Sequence, residues 1–186
     1  PYSVWCDSGY QTDSVYQVAS EHDILWPTKG FGSAQDAGLR YTQPKKKTVQ
    51  TRVIGEGWHI NKLQPGNLRR VDLVHVSADH WKSWLHERLS ISKTADGAIT
   101  LFDAAPTEHL DIAKHLTSEK QVTEYDKARN RVITLWQRIH RNNHWLDAAY
   151  LACAAASQQG VRVAPEQRPE EPEPLRMDEW FGGKRR

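Results

Sequence analysis

Residues 2–26 read YSVWCDSGYQTDSVYQVASEHDILW, with an apolar run at each end and a helix-like pattern between them. The runs at 2–6 and 24–26 predict two short buried strands. A helix that begins at Thr12 or Asp13 is predicted to connect them. A strand, a helix and a strand in so short a stretch favour a crossover between parallel strands of an α/β sheet.

The remainder of the chain continues this alternation of strand and helix. Strands are predicted at 49–54, 58–63, 71–76 and 99–102, and a Gly-Glu-Gly turn joins the first two as a hairpin. Helices are predicted at 109–116, 131–139 and 145–157, and another carries Trp81, Trp84, Leu85 and Leu89 on one stripe. The whole pattern is typical of an α/β domain.

The bulk composition is that of one folded unit. A chain of 186 residues with 38% hydrophobic residues can bury a core. It has no apolar stretch of the roughly 18 residues that a membrane span needs, so we expect a cytosolic protein. The chain opens at Pro1 and enters an apolar run at once, so we expect it to begin partway through its domain.

The composition changes near the C-terminus. Prolines alternate with glutamates after residue 163, and such a segment cannot form a packed core. We therefore expect a domain at 1–163 and a disordered linker and tail at 164–186. The aromatic and basic residues at 177–186 leave a short docking peptide open as an alternative to a disordered end.

Positive charge is clustered, although the net charge is only +2. The total does not favour a nucleic-acid partner, but local patches can bind phosphates. The candidate DNA contacts are Lys45, Lys46 and Lys47, together with Arg69 and Arg70.

Two aspartates occupy positions where an acid is awkward for folding. Asp7 follows an apolar strand, and Asp147 lies inside the apolar helix at 145–157. A buried carboxylate needs a compensating cation, and Mg²⁺ is a cation that carboxylates and phosphate oxygens bind. Spacing leaves simpler alternatives open: Asp7 as a turn residue and Asp147 as a solvent-facing helix residue.

Two further residues have similarly divided interpretations. Asp79 stands where a helix begins and is expected to cap it, and Lys82, one turn later, is in isolation expected to be a solvated charge. The chain contains no Gly-x-x-x-x-Gly-Lys-Ser/Thr phosphate loop, so ATP hydrolysis by that route is excluded for this piece. Its nine histidines are scattered and do not show the paired spacing typical of metal ligands.

Several ordered blocks of the chain resemble the large terminase subunits of lambda-type tailed phages. They are Cys6-Asp7-Ser8-Gly9-Tyr10, the run Val76-Ser77-Ala78-Asp79-His80-Trp81-Lys82, Leu116-Thr117-Ser118-Glu119, and the run from Asn143-His144-Trp145-Leu146-Asp147 to Tyr150. The resemblance implies a ribonuclease H-like nuclease fold with a mixed central sheet flanked by helices. We expect its first strands to be missing.

The resemblance also implies a function and a site. It implies an endonuclease that cuts concatemeric double-stranded DNA during packaging, with two Mg²⁺ or Mn²⁺ ions on Asp7 and Asp147 as catalytic acids. Asp79 and Lys82 are then supporting residues. The implied partners are viral DNA, the terminase small subunit, the portal or procapsid, and an ATPase domain upstream, all in the host cytoplasm.

The chain departs from the family pattern at two points. The family's first acid lies on an earlier strand, and the family's usual Glu before the final helix is His144 here. We therefore expect the chain alone to be weak or inactive. The alternative is a non-catalytic nuclease-fold module that binds DNA or docks motor partners, in which the aspartates lie apart or a lysine fills the metal space. A resolvase-like or transposase-like nuclease ranks lower, because it lacks this block order.

Overall fold

The computed structural model describes residues 3–32, 57–127 and 130–161. The strands are β1 Val4–Asp7, β2 Leu25–Phe31, β3 Trp58–Leu63, β4 Val71–Ser77, β5 Glu119–Asp126 and β6 Arg131–Arg138. The helices are α1 Thr12–Glu21, α2 Ala78–Ser90, α3 Leu110–Leu116 and α4 His144–Gln158, with one turn of 3-10 helix at Pro106–His109 before α3. In the part of the chain that these ranges cover, no helix is long and apolar enough to cross a membrane.

The central sheet has four strands in the order β1-β2-β4-β3. The strands β1, β2 and β4 are parallel, and β3 runs antiparallel to β4. The parallel crossover predicted from residues 2–26 is therefore confirmed, as is a mixed sheet flanked by helices. The strands β5 and β6 form a separate antiparallel hairpin.

The core lies where α2 and α4 pack on the sheet. Val74 and Val76 of β4 meet Leu85 of α2 and Leu146 of α4, and all four are buried. Ala154 on α4 is fully buried as well, which fits a helix whose small residues allow close approach. This packing holds one face of α4 against the sheet and thereby sets the position of Asp147 at its start.

Two predicted elements were wrong. The segment at 131–139 was predicted to be a helix because Ile133, Trp136 and Ile139 repeat at helical spacing, yet it forms β6 and pairs along β5. The β-branched run Val132-Ile133-Thr134 favours a strand, and cross-strand pairing overrides the apolar spacing. The predicted strand at 99–102 has no regular structure.

Some predictions fall outside the described residues. They are the hairpin strand at 49–54, the lysines at 45–47 and the linker at 164–186. The partner strand of that hairpin, predicted at 58–63, is confirmed as β3.

A histidine pair joins the edge strand β3 to its neighbour β4. His59 on β3 stands opposite His75 on β4, and their rings stack with centroids 4.5 Å apart. Burial, and then the neighbouring His75, lowers the pKa of His59 from 6.5 to about 4. Burial, and then the charge of Lys29, also lowers the pKa of His75. The folded domain therefore keeps both rings neutral at pH values where the unfolded chain protonates them.

We expect the domain to lose stability as the pH falls from about 7, above the ordinary histidine pKa, to about 4, the pKa of the folded His59. In this range the unfolded chain binds protons that the folded chain does not, at a cost of at most about 1.4 kcal/mol per pH unit for each such proton. The variant His59→Gln should flatten the slope. Urea unfolding at a series of pH values measures it, and an unchanged slope in the variant contradicts the assignment.

Candidate active site

The parallel strands end at one edge of the sheet, and a cavity of about 530 Å³ opens there. Asp7 is the last residue of β1, and Asp79 is the second residue of α2, which follows β4 directly. Ligands bind to α/β sheets outside the carboxyl ends of their strands. The sheet topology therefore brings these two acids to the usual place for a site.

Four carboxylates line the cavity, and they come from four different elements: Asp7, Asp79, Glu119 and Asp147. Lys82 lines it too, as does Arg138 at the end of β6. All four residues predicted from the sequence as catalytic or supporting therefore face one space. Asp7 and Asp147 line the same cavity because α4 packs against β1. No local sequence pattern predicts this contact.

Asp7 combines a turn with a place in the cavity. Its Oδ1 accepts a hydrogen bond from the backbone N–H of Gly9 at 3.0 Å, as expected of a turn residue. The buried Ser8 hydroxyl donates to the carbonyl of Thr28 at 2.7 Å and fastens this turn to β2. The turn interpretation is thus confirmed, and the same exposed carboxylate lines the cavity, while its role in a site stays a prediction.

Lys82 is not a solvated charge, contrary to the expectation for this residue in isolation. It is 8% exposed, and its Nζ donates to Glu119 Oε2 at 2.8 Å and lies 3.5 Å from Asp147 Oδ1. Its helix packs into the core and carries the side chain inward. Because Glu119 is also buried, this is a desolvated ion pair and not a surface one.

Asn143 connects the two carboxylates of this network from the other side. Its side-chain amide donates to Glu119 Oε1 at 3.1 Å and to Asp147 Oδ2 at 2.8 Å. Asn143 occupies the N-cap of α4, where an asparagine side chain normally accepts a hydrogen bond from the helix, but here it makes no such bond. The amide is used to hold the acids in place.

Asp147 is half-buried at the cavity wall, with its side chain 33% exposed. Burial is the main reason that its pKa is raised, while the charge of Lys82 pulls that pKa down and the charges of Glu119 and Asp7 push it up. Asp7 and Asp147 both line the cavity. Asp147 therefore faces the cavity and not the open solvent.

Tyr150 forms the floor of the site next to β2. Lys82 Nζ lies 5.3 Å from the centre of its ring, and the ring is buried. Burial, followed by the charge of Asp147, raises the pKa of its hydroxyl above the ordinary value. Gly30 allows this packing, because a Cβ there would stand 2.7 Å from the Tyr150 hydroxyl oxygen.

The variant Gly30→Ala should lower the free energy of unfolding by about 1–3 kcal/mol, because the added methyl overpacks the site. Adding Tyr150→Phe should recover most of the loss, since the next ring atom, Cζ, is 3.8 Å from that Cβ. Denaturant unfolding of both variants and of Tyr150→Phe alone makes the comparison. If the double variant is no more stable than Gly30→Ala, the clash is not with the hydroxyl.

The other predicted residues occupy different positions. Asp79 lies in the first turn of α2, but the N-cap is Ser77, so the expected cap at Asp79 was wrong. Arg69 and Arg70 precede β4, at the opposite end of the parallel strands from the cavity, and Arg69 pairs with Asp23 at 2.6 Å. Their role in DNA contact stays a prediction, and it would not place DNA at the cavity.

Glu119 and Asn143 were missed as site residues. Both lie within stretches that resemble the terminase blocks, but neither has a local pattern that marks it as a ligand or a partner. Glu119 begins β5, and Asn143 ends the loop after β6, so only the packing of the hairpin against α2 and α4 brings them to Lys82. His144, where the family pattern has an acid, is exposed.

The carboxylates that line the cavity are ligands that hard divalent cations prefer, but only some of their oxygens are available. Among the residues that the structure describes, no three His, Cys, Asp or Glu side chains are grouped closely enough to hold a metal. Every oxygen of Glu119 and Asp147 already faces Lys82 or Asn143. Mg²⁺ usually takes only one or two protein carboxylates and completes its shell with water and phosphate oxygens. Asp7 offers an exposed carboxylate of the kind that such an ion binds, whereas the ammonium group of Lys82 lies against Glu119.

An acid-lined cavity at the carboxyl edge of an α/β sheet is the kind of site in which phosphodiesters are cut. Residues 1–168 match the family model of the terminase large subunit gpA, endonuclease domain. The chain belongs to this family, and the resemblance noted from its sequence blocks is confirmed.

Two curated proteins also show a local likeness. Lipoxygenase homology domain-containing protein 1 of Mus musculus is 31% identical over 72 residues, and that of Homo sapiens is 30% identical over 73 residues. Each match covers 39% of this chain but only 4% of the relative's length. No solved structure matches the chain.

Proposed function

We propose that this domain hydrolyses phosphodiester bonds of double-stranded viral DNA, with the help of a divalent cation held by Asp7 and Asp147. Membership of the terminase endonuclease family supports a nuclease role in DNA packaging. The observation that carries the proposal is the convergence of Asp7, Asp79 and Asp147 on one open cavity beside a buried lysine.

Each residue has a distinct task in this proposal. When bound, the cation would stabilise negative charge on the phosphate oxygens and activate the attacking water. Asp7 and Asp147 hold it, while Asn143 orients the Asp147 carboxylate through the hydrogen bond to Oδ2. The positive charge of Lys82 stabilises the negative charge that develops on the phosphate in the transition state. Burial of the site strengthens this electrostatic interaction. Asp79 supports the site from the start of α2.

The remaining expectations are part of the same proposal. We infer that the substrate is concatemeric DNA in the host cytoplasm, that the partners are the terminase small subunit and the portal or procapsid, and that an ATPase domain acts upstream in the same polypeptide. The ribonuclease H-like classification stays a prediction that is compatible with the mixed sheet. The number of bound metal ions is a separate question, because Lys82 lies between Glu119 and Asp147, where a second ion would bind.

Cleavage of supercoiled plasmid tests the proposal. We expect weak or no cleavage by this chain and clear nicked and linear products from a version extended upstream, with Mg²⁺ or Mn²⁺. With EDTA, or with Asp7→Asn in the extended version, we expect no products. Asp13→Asn, an exposed acid in the first turn of α1, is the matched control and should cut normally. If this chain and a version extended upstream both fold and bind DNA but cut nothing with either metal, the endonuclease proposal fails.

That last outcome would favour a second candidate, a non-catalytic module that binds DNA or docks motor partners. One observation favours this candidate: Lys82 lies between Glu119 and Asp147, where a lysine can replace a metal ion. The module predicts DNA binding that does not depend on a divalent cation and that survives Asp7→Asn.

A further inference from the structure

We propose that Lys82 is a built-in cation that replaces a second metal ion, so that the site binds one divalent cation, on its Asp7 side. This inference rests on the proposed function and deepens it. It departs from the two-ion expectation because of what the structure places between the carboxylates.

The ammonium of Lys82 lies between Glu119 and Asp147, where a metal ion bound to both carboxylates would have to lie. Its Nζ is 2.8 Å from Glu119 Oε2 and 3.5 Å from Asp147 Oδ1. A divalent ion bound to these two oxygens would contact the ammonium and be repelled by it. The remaining oxygens, Glu119 Oε1 and Asp147 Oδ2, accept hydrogen bonds from Asn143. The Glu119 half of the site is therefore neutralised and hydrogen-bonded without a metal.

The lysine is also fixed in this position. Its helix is anchored in the core by Trp81 and Leu85, and its own side chain is only 10% exposed. The Tyr150 ring lies under the ammonium at 5.3 Å, where a cation–π contact adds to the ion pair. A metal ion that took its place on Glu119 would leave the buried Lys82 ammonium without its partner, so displacement has a high cost.

The Asp7 half differs in both respects. Asp7 is exposed, and among the described residues it forms no ion pair; its Oδ1 accepts only a backbone hydrogen bond, from Gly9. Its carboxylate is therefore open to an ion that shares the partly exposed Asp147 carboxylate and completes its shell with phosphate oxygens and water. The site then works with one exchangeable divalent cation and one permanent positive charge.

Titration with Mn²⁺, followed by the electron paramagnetic resonance signal of the free ion, counts the bound ions. We expect one Mn²⁺ per chain for the unaltered protein and two for Lys82→Met, whose carboxylates are released from the ammonium. Lys82→Arg keeps the charge and should still bind one. Two ions bound by the unaltered protein would overturn the inference, and so would a single ion bound by folded Lys82→Met.

Lys82→Met leaves the buried Glu119 charge without a partner and can prevent folding. A second variant therefore tests the same inference without that charge. Lys82→Met with Glu119→Gln replaces the buried charge pair by neutral groups of similar size. It should bind its single Mn²⁺ at least about 10-fold more tightly than Glu119→Gln alone, because these two variants differ only in the positive charge beside Asp147. Equal affinities of these two folded variants would overturn the inference. If the unaltered protein binds no Mn²⁺ and cuts no DNA, the proposed function itself fails; if it binds two and cuts, only the Lys82 inference does.

Discussion

The substitution Asp147→Asn is expected to reduce plasmid cleavage by at least about 100-fold while the domain stays folded. Asparagine has nearly the same shape, but it carries no charge to hold a cation against the phosphate. Lys82 keeps its shorter contact with Glu119, and Asn143 keeps its bond to that same acid, so the local structure should survive. Cleavage rates in Mg²⁺ and Mn²⁺, with circular dichroism of the same preparations, measure both effects.

Asp111→Asn is the matched control for this experiment. Asp111 is an exposed helical acid in α3 that pairs with a lysine at 3.0 Å, so it resembles Asp147 in chemistry but not in place. It should cut at the normal rate. Normal cleavage by Asp147→Asn would remove Asp147 from the catalytic site and leave Asp7 and Asp79 as the only predicted acids to test.

The second large effect is on stability. Lys82→Ala is expected to lower the free energy of unfolding by about 3–5 kcal/mol, because it leaves the buried Glu119 carboxylate with an uncompensated charge. Glu119 is 7% exposed, so little solvent is available to replace the ammonium. The Asn143 amide still donates to Oε1, but a single neutral donor does not offset a buried charge.

The double variant Lys82→Met with Glu119→Gln separates the charge pair from the packing. It should recover most of the lost stability, since replacing both members of a buried pair is often close to neutral. Urea unfolding of the single and double variants gives the comparison. If Lys82→Ala costs no more than about 0.5 kcal/mol, as exposed substitutions do, the pair is not desolvated in solution.

The sequence was sufficient for the crossover unit at the start of the chain. Its apolar runs and the helix between them depend on local periodicity, and β1, α1 and β2 form where that periodicity places them. The same local argument failed at 131–139, because helical spacing and strand propensity conflict there and pairing with β5 settles the conflict. Local patterns thus predict an element well only where they agree with one another.

The acids were recognisable because each stands in or next to an apolar stretch of the sequence. Asp7 after an apolar strand and Asp147 in an apolar helix are anomalies that the sequence shows directly, and both line the cavity. Resemblance to a family added the order of the blocks and the nuclease interpretation, which the family match bears out at the level of the domain. The assignment of each acid to metal binding stays a prediction.

Only the tertiary structure determined the state of Lys82. In the sequence it is a lysine one turn into a helix, and such residues are usually solvated. Its partners Glu119 and Asn143 are distant along the chain, and the packing of α2, α4 and the β5-β6 hairpin brings them together. Long-range packing decides burial, and burial decides whether a charge needs a partner. Composition and periodicity therefore reveal which residues are acids near a sheet edge, whereas the three-dimensional fold determines which of their oxygens remain available to a metal ion.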